Sequence, residues 1–156
     1  MASSEPSFQI VAIQVDSFNL IPKSEMIQSL GELDNNMVFK FDSNFKFSAN
    51  IKQHNIQLAI DFTGFLSKTV KEESIPCLSL ITTFDFSISS FDKWTTDEKI
   101  LIPSNVAKSL ISVGFGTLRG IVHTKTADTY LPKILLPIMD LDKIKQQDLE
   151  FPLNPK

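Results

Sequence analysis

Residues 39–51 read FKFDSNFKFSANI, and the fold turns on how that stretch alternates. Phe39, Phe41, Phe45, Phe47, Ala49 and Ile51 occupy one parity, while Lys40, Asp42, Asn44, Lys46, Ser48 and Asn50 occupy the other. Only an extended chain sets residues i and i+2 on one side, so this is a strand with one apolar and one wet face. The pattern returns at Ile56, Leu58, Ile60 and Phe62, and again at Leu78, Leu80, Phe84, Phe86 and Ile88. Strands are expected over 37–53, 55–68 and 75–90, with a tight turn at His54 and Asn55 and a charged one at Lys71, Glu72 and Glu73. Three long strands with short polar joints read as an antiparallel meander.

Upstream, Phe8 to Leu20 forms a further strand. Phe8, Ile10, Ala12, Phe18 and Leu20 share one parity and Val11, Ile13 and Val15 the other, so both faces are expected to be partly buried before Pro22 ends the strand. Residues 23–36 read as a joint of loop and turn, with Leu30, Gly31, Asn35 and Asn36. Downstream the period changes. Val106, Ala107, Leu110, Ile111, Val113, Leu118, Ile121 and Val122 recur at three- and four-residue steps, the apolar face of a long helix. Pro103 suits its start, and Ser104 or Asn105 is expected to cap it. Gly114 and Gly116 each cost about 1 kcal/mol against alanine inside a helix, so they mark a kink or the close approach of another backbone. The run LPKILLPIMDL after Tyr130 is extended and apolar, and Pro132 and Pro137 exclude it from a central strand. A short amphipathic helix is expected over 142–149. Tails at 1–7 and 152–156 frame a single domain over 8–151.

Composition narrows the function classes. The chain has 156 residues, 42% hydrophobic and 21% charged, enough for a core without staples. A net charge of −3 and one arginine, Arg119, leave little supply of bidentate phosphate or guanine contacts, so nucleic acid is not an expected partner. One cysteine, Cys77, precludes an intrachain disulfide and fits a reducing compartment. The N-terminal MASSEPSFQIVAIQV lacks a basic region followed by a long apolar one, and no stretch approaches a membrane span. The expectation is a soluble cytoplasmic protein without direct membrane insertion.

Catalytic chemistry has thin material. His54 at a hairpin tip and His123 near the end of the long helix have no HxH or HxxxH spacing, so no metal site is expected. Cys77 reads as a structural thiol rather than a nucleophile. No glycine-rich loop joins a strand to a helix. No catalytic residue and no cofactor is therefore assigned, and the chain is read as a non-enzyme. Most of the phenylalanines are core. The doubly apolar first strand, with Ile13, and the glycine-bearing helix, with Gly116, point to an oligomer with apolar surface left for ligands. Phe91 and Trp94 read as covers of the sheet or interface anchors, and Arg119 as a salt-bridged residue at an interface.

In order of parts the chain resembles SecB, the export chaperone, and the divergent SecB-like proteins. FQIVAIQVDSFNL is similar to that family's opening strand, and NIQLAIDFTGFLSKTVKEESIPCLSLITTFDFSIS to its central hairpin. ILIPSNVAKSLISVGFGTLRGIVHTKTADTYLPKILLPIMDLDKI is similar to its proline-started helix, extended crossover and last helix. The resemblance implies an α+β fold, a four-stranded antiparallel meander sheet carrying one long helix, with a proline-fixed crossover and a short C-terminal helix. It further implies pairing into dimers and a homotetramer, and an ATP-independent holdase that binds unfolded polypeptides in apolar grooves. The expected groove residues are Phe39, Phe41 and Phe45 on the sheet, with Leu141, Ile144 and Leu149 on the last helix as a movable wall. Asp16 corresponds to an acidic position through which the family meets the SecA motor, whereas Asn19 and Leu20 stand where a second would be. A chaperone paired with a toxin–antitoxin system, and a carrier of small apolar ligands, are the alternatives.

Overall fold

In the computed structural model, which describes residues 7–153, the alternating stretches form four long strands: β1 (Phe8–Leu20), β2 (Val38–Asn50), β3 (Asn55–Ser67) and β4 (Ile75–Ile88). They make one antiparallel sheet in the order β1-β4-β3-β2. The meander holds for β2, β3 and β4. β1 departs from it by crossing to the far side of β4, where a second full-length pairing is available. The register sets Leu58 beside Phe84, Ile60 beside Thr82 and Phe62 beside Leu80, so the even positions of β3 and β4 share one face. All of these are sealed from solvent. At about 1.5–3 kcal/mol for each large apolar side chain buried, this face is the main source of stability.

α2 (Ser104–Thr126) lies across that face and contributes Val106, Leu110, Ile111, Phe115, Leu118 and Val122 to the core, as its 3.6-residue period predicts. Gly114 faces the sheet, where a Cβ would stand 2.9 Å from Leu58 Cδ2, so the missing side chain sets the helix-to-sheet spacing. Gly116 and Gly120 face away, and a Cβ at either would meet nothing within 4 Å. Neither Ser104 nor Asn105 caps the helix with its side chain. Pro103 is the N-cap, and the Ser104 amide donates instead to Asp148 Oδ1 at 2.7 Å, from 44 residues downstream.

Three parts differ from expectation. Residues 23–30 are a helix, α1 (Lys23–Leu30), which buries only Met26 and stops at Gly31, whose φ of 77° suits glycine. The helix expected over 142–149 is reduced to one 3-10 turn, Leu141–Lys143, capped by the Asp140 side chain. Beyond it the chain extends into β6 (Leu149–Pro152), which pairs with β5 (Lys99–Ile102) and seats Leu149 opposite Ile102. A backbone pairing partner thus overrides a weak amphipathic pattern. The Leu153 amide continues the ribbon by donating to the Glu98 carbonyl. Of the expected tails, 1–6 and 154–156 lie outside the described residues.

β1 repays closer reading. Two bulges, at Val11 and Asp16, shift its register against β4. Phe8 and Ile10, then Ile13 and Val15, then Phe18 and Leu20 all stand opposite even residues of β4, and so point to the core face. The parity changes twice along one strand. Ile13 and Val15 nonetheless remain 47% and 39% exposed at the sheet edge, unlike the sealed Phe84 and Thr82 beside them.

Candidate peptide-binding cleft

β2 is an edge strand: it pairs with β3 alone, leaving its other row of backbone N–H and C=O groups without a strand partner among the described residues. Its core-face aromatics are only half buried. Phe39 leans over Gly64 of β3, where an added Cβ would stand 2.6 Å from the Phe39 ring, so glycine there makes room for the aromatic. Phe41 stacks on Phe62 with ring centroids 5.4 Å apart and tilts against Phe115 at 5.9 Å. Phe45 meets Phe115 edge-on at 6.5 Å. The phenylalanines thus form a floor braced from below by core rings.

The opposite wall is the extended segment after Tyr130. Leu131, Ile134 and Leu136 are buried, which anchors it, while Leu135 and Ile138 stand 71% and 80% exposed. Between this wall and β2 runs a half-open cleft of about 590 Å³, lined by Asn35, Met37, Phe39 and Phe41 on one side and Pro132 to Pro137 on the other. A smaller cleft of about 290 Å³ lies beside Phe45, Ile111, Met139 and Ile144, rimmed by Asp140, Lys143 and Lys145. Phe41 and Phe45 lie four residues apart on β2, about 13 Å along an extended chain, so the two clefts can be spanned by a short extended peptide.

The expected groove residues therefore separate. Phe39 and Phe41 line the large cleft, and Phe45 and Ile144 meet in the small one. Ile144 is buried at 9% exposure, which corrects its expected place on a mobile helix. Leu141 borders another cleft with Phe8 and the first turns of α2, and Leu149 is fixed in β6. Met37, Ile134, Leu136 and Met139 were missed. The apolar LPKILLPIM run was the available signal, but its contact with β2 is a tertiary fact.

The remaining candidates have local roles. Asp16, exposed at a β1 bulge, accepts a hydrogen bond from Thr83 Oγ1 at 2.6 Å. Arg119 has no carboxylate within ion-pairing distance among the described residues of its own chain; its Nε donates to the Leu136 carbonyl at 2.7 Å. Phe91 is buried and His54 stacks on it at 5.2 Å, with Nδ1 3.6 Å from Asp92, so this pair covers the end of the sheet. Burial pushes the Cys77 thiol up to about 12, which keeps it protonated. Tyr130, also raised to about 12 chiefly by burial, ties the segment after α2 to the residue that follows β1 by donating to the Ile21 carbonyl. Among the described residues, no group of three His, Cys, Asp or Glu is placed to hold a metal ion, and no helix is long and apolar enough to cross a membrane.

No protein-family model matches the sequence, and no curated protein matches it. Among solved structures, the chain is similar to the Mycobacterium tuberculosis Rv1957 SecB-like chaperone in complex with a ChAD peptide from the Rv1956 HigA1 antitoxin. The match has a TM-score of 0.56 at 11% identity and covers 85% of this chain and 91% of that one. The chain has the fold of a SecB-like chaperone.

Proposed function

We propose that this chain is an ATP-independent holdase chaperone that binds unfolded or non-native polypeptides in the cleft between β2 and the crossover. The observation that carries this reading is the meeting, in one open cleft, of an aromatic floor with a strand edge that has no partner among the described residues. A client's backbone takes hydrogen bonds from the β2 edge whatever its sequence, and its alternate side chains drop onto Phe39, Phe41 and Phe45. Each large apolar side chain so buried contributes about 1.5–3 kcal/mol before the entropy of ordering is subtracted, so several weak contacts suffice without any specific one. That the SecB-like neighbour carries a peptide from another protein supports polypeptide binding in general.

On this reading the protein works in the cytoplasm as a homo-oligomer, most simply a tetramer. Ile13 and Val15 offer a second copy an apolar edge, and Gly116 offers its backbone close approach to a helix. Protein export is the proposed setting, with Asp16 on the exposed sheet face as a contact for SecA. The neighbour's antitoxin peptide favours a second setting, in which the client is the antitoxin of a toxin–antitoxin pair.

The test is light scattering of a chemically unfolded protein diluted into buffer without nucleotide. The intact chain should suppress aggregation, and Leu135→Ser should weaken suppression while leaving stability within about 0.5 kcal/mol, as for an exposed position. An intact protein that fails to suppress aggregation refutes the reading.

A further inference from the structure

We propose that Arg119 is a positioning residue of the cleft, whose one hydrogen bond to the crossover sets how far the apolar wall stands from β2 and how fast a client leaves. The inference rests on the reading of the cleft as a client site. Arg119 is the only arginine of the chain, and its Nε–H reaches from α2 to the Leu136 carbonyl at 2.7 Å. Among the described residues, this is the one hydrogen bond that residues 132–139 make. Pro132 and Pro137 have no N–H to give, and the segment joins no strand. The wall is therefore held by buried Ile134 and Leu136 and by a single polar tether at the Leu136 carbonyl.

The side chain suits that task. A guanidinium stays charged and is planar, so its N–H direction is fixed once the stem is packed, whereas a lysine ammonium is a mobile point charge. Arg119 is partly buried, where such a bond is less weakened by water. Leu136 lines the cleft and Arg119 does not, so the tether joins the wall to a side chain outside the cleft lining.

Native-state proteolysis with trypsin reads the tether directly. Lys133 is exposed, but Ile134 after it is 4% exposed and Leu136 likewise, so cleavage after Lys133 waits for the wall to lift. A hydrogen bond from a charged donor is worth about a tenfold change in such an opening equilibrium. Arg119→Met, which keeps the length of the stem, should therefore speed that cut about tenfold, and Arg119→Lys should recover part of the loss. The cut at Lys71, in the loop between β3 and β4, should not change. Local lifting exposes little surface, so the faster cut should be nearly independent of low urea. In a second arm, a reduced and carboxymethylated protein labelled with fluorescein should leave Arg119→Met about tenfold faster than wild type, with Arg119→Lys between them. Cleavage of Arg119→Met at the wild-type rate, or a gain with the urea dependence of global unfolding, overturns the proposal. If wild type binds no unfolded protein while the proteolysis behaves as expected, the tether stands and the holdase reading alone falls.

Discussion

Alanine at two glycines of α2, two residues apart, should stabilise the chain at one and fail to do so at the other. Each replacement recovers about 1 kcal/mol of helix propensity. At Gly116 nothing lies within 4 Å of the new methyl, so Gly116→Ala should stabilise the isolated chain by about that amount. At Gly114 the methyl would stand 2.9 Å from Leu58 Cδ2, 3.4 Å from Ile60 Cδ1 and 3.5 Å from Phe84 Cδ2. Carbon contacts are comfortable at about 3.5–4.0 Å, so Leu58 must retreat by more than half an ångström. Leu58, Ile60 and Phe84 are sealed at 0% exposure, which leaves Leu58 no free direction. Overpacking of this kind costs about 1–3 kcal/mol, so Gly114→Ala should come out between neutral and 2 kcal/mol less stable. Urea unfolding followed by far-ultraviolet circular dichroism, at concentrations low enough to disfavour assembly, measures both. A Gly114→Ala protein that gains as much as Gly116→Ala would refute the claim that the absent side chain sets the helix-to-sheet distance.

Removing the Asp148 carboxylate by Asp148→Ala should cost about 0.5–2 kcal/mol by the same urea measurement, because it caps the first amide of α2. Cys77 gives a pH test: its folded value is raised from 9.0 to about 12, so the unfolded chain loses its proton first. Stability should be independent of this group below pH 9, then fall by about 1.4 kcal/mol per pH unit until the folded thiol itself ionises; Cys77→Ala should lack that part of the slope between pH 9 and 10.5 when urea midpoints are compared. Placing a charge at the exposed apolar edge, Ile13→Lys, should lower the sedimenting mass at micromolar concentration with little loss of monomer stability, and an unchanged mass would remove Ile13 from the interface.

The central sheet was legible because its signal is local and redundant: β2, β3 and β4 each carry at least four apolar residues at period 2, and α2 carries its stripe over 23 residues. β1 showed the same amount of apolar surface but not its geometry. Two one-residue bulges reverse its parity, and a bulge is specified by the partner strand rather than by the residues that form it. α1 was missed because a helix of eight residues with one buried side chain has almost no amphipathic pattern to read. The C-terminal segment failed differently. Asp142, Lys145, Asp148 and the apolar residues among them do fit a helical turn, yet Leu149 and Phe151 gain more by pairing with Ile102 and Ile100. For the cleft, the sequence identified the floor, since Phe39, Phe41 and Phe45 announce themselves by alternation. It did not identify the wall, whose place opposite β2 depends on where the long helix ends and on Arg119 reaching Leu136.

Because Ser104 depends on Asp148, the biosynthesis of this protein has a built-in delay. The helix is synthesised before the carboxylate that completes its first turn, and β5 before the strand that pairs with it. At about 5–20 residues per second on the ribosome, the intervening 44 residues take about two to nine seconds. During that interval β1 to β4 have already emerged and can pair, while the start of α2 and one end of the aromatic face still lack their last cover. A chain paused there would expose phenylalanines that Asp148 and β6 later help to cover, the kind of surface that other chaperones engage.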